Sequence, residues 1–220
     1  MKQALVPLKR ENLRDSVKRA IRSAIISGEM EPGQVYSAPT LGETFGVSPT
    51  PVREAMLDLV RKGLVISLPN KGFRVTEVSE SDLDDVAQLR LLIEPPMVRQ
   101  VVGAIDPAGI DRLRESAQRI VDAARAGDLI EYVSSDLEFH ITLLGYAGNR
   151  LLLEIVTDLR NKTRLLGLLP LLESGKLIES AEEHQTIMDL VEAGEADQAE
   201  AYLRKHIGHV RGLWAAQPEE

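Results

Sequence analysis

Four side chains in this 220-residue sequence, Asp136, His140, His184 and His206, sit where a helical period calls for apolar residues. One stripe reads Leu129, Val133, Asp136, His140, Leu143; a second reads Leu177, Ala181, His184, Met188, Val191; a third reads Ala199, Leu203, His206, Val210, Leu213. A fourth stripe, Leu83, Val86, Arg90, Ile93, Met97, carries an arginine in the same way. Burying an unpartnered polar group costs roughly 2–7 kcal/mol, more if it is charged. Several of them would exhaust a typical stability of about 5–15 kcal/mol, so these side chains are expected to meet one another.

Helical geometry allows the meeting. Asp136 and His140 are one turn apart, about 6 Å along the axis. His184 precedes Gly194 by ten residues and His206 follows it by twelve. In an antiparallel pair turning at Gly194, the two imidazoles stand at heights of roughly 15 and 18 Å, nearly level. Three imidazoles and a carboxylate at one level suit a first-row divalent ion with an open coordination position. Zinc is the first candidate, with nickel or manganese as alternatives, and the absence of cysteine restricts ligands to nitrogen and oxygen. Such a site could also activate water, with Glu138 as base, as in a metal-dependent hydrolase. Glu138, however, is two residues beyond Asp136 and falls on another side of the helix. A third reading leaves the cluster structural and the helices serving only dimerisation.

The elements that must hold these residues are helices. Ser79 or Ser81 opens one that reaches about Val102, with a bend expected at Pro95-Pro96. Asp106-Pro107 opens the next, which ends near Gly127, and Asp128 caps a third to about Ala147. A fourth covers Arg150 to about Leu169; a fifth ends at Gly194; the last spans about Glu195 to Trp214. Residues 79–220 thus read as an antiparallel bundle of about six helices.

Residues 1–78 follow a different plan. A helix from about Leu8 to Ser27 carries an apolar stripe of Leu13, Val17, Ala20, Ile21, Ala24 and Ile25, with Lys9, Arg10, Arg14, Lys18, Arg19 and Arg22 around it. Two short helices follow, about Ala38 to Phe45 and from Ser48 to Lys62, separated at Gly46, with Ser48 placed to cap the second. Two short strands, Leu64–Leu68 and Phe73–Thr76, enclose a Pro69-Asn70-Lys71-Gly72 turn. The fold is expected to be mainly α: a winged helix-turn-helix with a hairpin wing, then the bundle. In this arrangement the second short helix enters the major groove of DNA N-terminus first. Ser48, Thr50 and Pro51 lie at its start, and the forked donors of Arg53 match guanine. Lys71 and Arg74 flank Gly72, where they can follow the backbone into a minor groove.

Charge distribution agrees. Residues 1–78 carry 12 basic and 8 acidic side chains, and residues 79–220 carry 14 and 26, giving +4 and −12 of the total −8. A basic head on an acidic body is expected where one end meets phosphate. The N-terminus lacks a signal-peptide core, and the longest apolar run, Leu165–Leu172, is interrupted by Pro170 and too short to span a membrane, so a cytoplasmic location is expected.

The run from Leu41 to Met56, with Phe45-Gly46-Val47-Ser48 and Thr50-Pro51-Val52-Arg53-Glu54-Ala55 at its centre, resembles the GntR-family winged helix. Leu59 and Lys62-Gly63-Leu64-Val65 extend the likeness. The resemblance implies a homodimer on a short palindromic operator, with Arg53 and the hydroxyls near Ser48 touching DNA. Ala38 and Pro39 stand where many relatives have an acidic-basic pair, and Pro49 where many have arginine, so operator preference does not transfer. Residues 80–214 resemble the FCD ligand-binding domain of the FadR-type subfamily. The matching features are Arg90 with Glu94-Pro95, Asp136-Leu137-Glu138-Phe139-His140, Gly148-Asn149, Glu183-His184 and His206-Ile207. That resemblance implies a metal held by Asp136, His140, His184 and His206. It also implies a small carboxylic acid effector paired with Arg90. Pro96, after Pro95, is a departure close to Arg90.

Overall fold

The computed structural model describes residues 13–77, 79–163 and 168–214. The first five residues of the predicted N-terminal helix, with Lys9 and Arg10, lie outside them, as do the side chains of Val210 and Leu213.

The head begins with α1 (Leu13–Ser27), which packs on α3 (Pro49–Arg61). Between them run β1 (Val35–Tyr36) and α2 (Ala38–Phe45); β2 (Val65–Leu68) and β3 (Gly72–Val75) follow. The sheet is antiparallel in the order β1-β3-β2, with Val65 opposite Val75 and Tyr36 opposite Phe73. The expected hairpin therefore has a third strand. β1 is two residues long and has no period of its own; pairing with β3 creates it. Gly72 opens β3 at φ 116°, where an added Cβ would fall on the Tyr36 carbonyl, so this turn requires glycine.

Val17, Ile21 and Ile25 of α1 join Leu41, Val52, Met56, Leu59, Phe73 and Val75 in the head's core. Leu13, placed on the same stripe by sequence, is 53% exposed. Ser37 caps α2, accepting from the Thr40 backbone N–H at 3.2 Å. Ser48 occupies the N-cap of α3 in an extended conformation, but its hydroxyl makes no capping bond, correcting the expected role. Pro49 and Pro51 open that helix and carry no N–H, which reduces the donors a cap must satisfy.

The body contains α4 (Glu80–Val101), α5 (Pro107–Ala126), α6 (Leu129–Gly145), α7 (Arg150–Thr163), α8 (Leu169–Glu173), α9 (Lys176–Glu192) and α10 (Ala196–Trp214). α4 packs on α10 and α7, α5 on α6 and α9, and α9 on α10. Their core includes Val98, Leu113, Ile120, Phe139, Leu143, Val156, Ile187, Met188 and Leu203. Ser79 and Asp82 form a capping box at the start of α4. Asp106 and Asp128 cap α5 and α6. The fourth predicted helix is described as far as Thr163; residues 164–167 of its expected span lie outside the described residues, and Leu169 opens the separate α8.

α4 continues through Pro95 and Pro96. Pro95 has no N–H for the Leu91 carbonyl four residues back, and the Arg204 guanidinium of α10 donates to that carbonyl at 3.1 Å. A tertiary bond replaces the missing helical one and ties α4 to α10 beside Glu94. Head and body also touch directly: Ile26, at the end of α1, is buried in the body's core.

Candidate metal centre and nucleic-acid interface

Asp136 and His140 project from α6, His184 from α9 and His206 from α10, and one ligand atom from each lies within 4.8 Å of all the others. His184 Nε2 is 3.1 Å from His140 Nε2 and 3.3 Å from Asp136 Oδ1. Asp136 Oδ1 is 3.7 Å from His140 Nε2. The His184 and His206 rings stand 4.7 Å apart, as their level placement across the Gly194 turn requires. Phe139 packs edge-on against His140 and His184, fixing both rings.

Two of the three tautomers are set from outside. His184 donates through Nδ1 to the Ala181 carbonyl at 3.1 Å, which leaves its Nε2 lone pair facing inward. His206 donates through Nδ1 to Glu183 Oε2 at 2.6 Å. Burial holds His140 well below its ordinary pKa, with the Arg160 charge acting in the same sense. Burial likewise pulls His206 down to about 4, against the opposing hydrogen bond that it donates to Glu183. His140 and His206 are therefore neutral near pH 7 and can present lone pairs. Nitrogen ligands about 2.0–2.1 Å from a tetrahedral zinc stand roughly 3.3 Å apart, close to the spacing here. The donor set fits a first-row divalent cation.

Around this set runs a buried ionic chain. Asp136 Oδ2 lies 3.3 Å from Arg160 on α7; Arg160 also pairs with Glu94, and Glu94 Oε1 accepts from Arg90 Nε at 2.7 Å. Burial drives the Glu94 carboxyl upward, but Arg160 and Arg90 outweigh it and hold it below its ordinary value. Arg90 is thus joined to the cluster through Glu94 and Arg160, with its Nε committed to Glu94. Its terminal nitrogens make no hydrogen bond among the described residues.

Sequence reasoning assigned no role to Arg160, Glu183 or His209. Arg160 follows Leu159 near the C-terminus of α7, where a base is ordinary, and nothing in the period marks it as buried. His209 falls on a flank of the last helix with Lys205 and Gly212, off its apolar stripe, and donates to Glu183 Oε1 at 2.7 Å. Glu138 points outward and pairs with Arg119 at 2.8 Å, away from the cluster.

On the head, Arg53, Lys71 and Gly72 line one groove of about 450 Å³ between the start of α2, α3 and the hairpin turn. Ser48 and Thr50 are exposed at the start of α3; Pro51 and Arg74 are partly buried. Arg53 and Lys71 make no side-chain hydrogen bond or ion pair among the described residues, so their donors face outward unspent.

A winged helix-turn-helix joined to a helical bundle with a ligand-ready polar centre defines a class, the one-chain transcription regulator. The chain belongs to the GntR family: residues 13–75 match the model "Bacterial regulatory proteins, gntR family", and residues 85–209 match the FCD domain. It is 26% identical to the HTH-type transcriptional regulator YdhC of Bacillus subtilis, over 86% of this chain and 85% of that one. It is 27% identical to the HTH-type transcriptional repressor NanR of Cronobacter sakazakii, over 96% and 88% of the two chains. Among solved structures, Escherichia coli McbR/YncC superposes with a TM-score of 0.71 over 94% of this chain and 99% of that one. At 23% identity, this last likeness concerns the fold. The family and these relatives are transcription regulators, not enzymes. No helix among the described residues is long and apolar enough to cross a membrane.

Proposed function

We propose that this chain is a cytoplasmic, homodimeric transcription repressor whose operator binding responds to a small carboxylic acid at a metal centre in the bundle. Residues 1–78 form the DNA-binding unit and residues 79–220 the sensing and dimerising unit. The observation that carries the reading is the convergence of Asp136, His140, His184 and His206 from three helices onto one point.

The three imidazoles and the carboxylate would hold the ion, which supplies a Lewis-acidic open position for an oxygen ligand. Arg90 offers its unspent terminal nitrogens to the effector's carboxylate, while Glu94 and Arg160 fix its orientation. Every helix that supplies a ligand packs on a neighbour, so an effector that prefers one helix arrangement shifts the population of head orientations. Dimerisation is supported by Leu89 and Leu92 on α4 with Leu151 and Ile155 on the adjoining α7, large apolar side chains left exposed. Arg53 would read a base in each half of a palindrome, and Lys71, Gly72 and Arg74 would track the backbone.

The test begins with metal analysis of the purified protein and recovery of genomic fragments that it retains. On such a fragment, a panel of small carboxylic acids is expected to change affinity by about 5–150-fold, the ordinary span of allosteric coupling. Asp136→Ala protein should lose both the metal and the response. Equal responses from the variant and the parent would remove the metal from the mechanism.

A further inference from the structure

Arg22 and Lys62 border a second cleft, of about 310 Å³, where the head meets the body. Arg22 lies on α1 and Lys62 just after α3, while Val133, Ser134 and Leu137 of α6 form the facing wall. The Arg22 guanidinium crosses the junction to donate to Ser134 Oγ at 3.5 Å, a long bond to a neutral partner. No acidic side chain lines this cleft among the described residues. Other bases of α1 are already spent: Arg14 and Lys18 pair with Asp58. Burial lowers the pKa of Arg22. Burial, then the charges of Arg22 and Lys18, lowers that of Lys62 against the opposing charge of Asp58. Arg22, half-buried at the junction, and the more exposed Lys62 repel one another across a cleft with no carboxylate among its described lining residues, and an anion between them offsets that repulsion.

The rest of the lining is mixed: Ile26 and Leu64 from the head meet Val133 and Leu137 from the body, with Thr157 and Asn161 of α7 beside them. The volume lies at the lower end of the range for ligand pockets, about 300–1,000 Å³. We propose that this cleft is a second effector site, taking a small organic anion whose carboxylate or phosphate head sits between Arg22 and Lys62. A short apolar body packs on Leu64, Val133 and Leu137. Both units supply walls, so an occupant bridges them and favours the arrangement of head on body seen here. Ser134 and Leu137 lie on the flank of α6 next to the one carrying Asp136 and His140, so the two sites share one helix.

The test is calorimetric titration of the full-length metal-loaded protein with hexanoate, hexyl phosphate and inorganic phosphate at constant ionic strength. At least one tailed anion should bind about tenfold or more tightly than inorganic phosphate, and the tighter of the two identifies the head group. Arg22→Gln and Lys62→Gln should each weaken that binding about tenfold or more, the usual worth of a charged hydrogen-bond partner. Asp136→Ala should leave it intact, which separates this site from the metal centre. If Arg22→Gln fails to fold, Lys62→Gln, at an exposed position, decides alone. The proposal is overturned by any of four results: no binding of either tailed anion, inorganic phosphate binding as tightly, binding unmoved by the variants, or binding lost with Asp136.

Discussion

Glu183 accepts from His206 Nδ1 at 2.6 Å through one oxygen and from His209 Nδ1 at 2.7 Å through the other. A single carboxylate thus orients a buried imidazole of the four-residue cluster while anchored to a second, half-buried one. Such outer partners fix the tautomer of a ligating histidine and raise its basicity. Glu183→Gln is expected to weaken metal affinity about 10–100-fold, as measured by competition with a chromophoric chelator. Unchanged affinity would show that His206 needs no such partner.

Glu94 is the only carboxylate between two buried arginines among the described residues, and its own exposure is 0%. Breaking a buried ion pair by removing one partner costs about 3–5 kcal/mol, because the other charge stays behind. Glu94→Gln is expected to lose an amount of that order in urea unfolding. A loss within experimental error would mean that Arg90 and Arg160 find water or another partner.

Arg53 and Lys71 line the same groove but have different expected roles. If Arg53 reads a base, Arg53→Ala costs about 1–3 kcal/mol on the operator and relaxes sequence preference at one position per half-site. Lys71→Ala should weaken all sequences alike and reduce the salt slope by about one. Fluorescence anisotropy across salt concentrations distinguishes the two, and identical behaviour would refute the division.

Asp58, on α3, pairs with Arg14 and Lys18 from α1 and with Arg61. The hydrogen bond from Arg14, outweighing burial, holds its carboxyl below the ordinary value. The folded pKa is thus below the unfolded one, about 3.9. The stability it adds is present above that unfolded value and disappears as pH falls through the folded value. Asp58→Asn should lower the melting temperature at pH 7, with the deficit shrinking in acid. A deficit that stays constant from pH 7 to 3 would assign the effect to packing instead.

The bundle's organisation was legible because caps and period agreed: Asp106, Asp128 and the glycines that follow α5 and α9 bound helices whose apolar faces repeat correctly. The four cluster residues were legible as interruptions of that period. Arg160 was not, because a base near a helix C-terminus is unremarkable until the neighbouring helix covers it. β1 was not, because two residues carry no alternation. The Ser48 hydroxyl suits a cap by residue type, but the N3 position that would donate to it is Pro51, which has no N–H.

Sequence by itself determined the identity of the elements, the helix-turn-helix with its wing, and the polar side chains that burial would force together. Those properties follow from period, capping chemistry and the cost of unpartnered polar groups, all of which act along a single helix. Tertiary structure alone decided how the charges are apportioned between helices: Arg160 to Glu94 and Asp136, Arg22 to the junction cleft. Such pairings depend on which helix faces which across the core, and a sequence read one helix at a time contains no distance between helices.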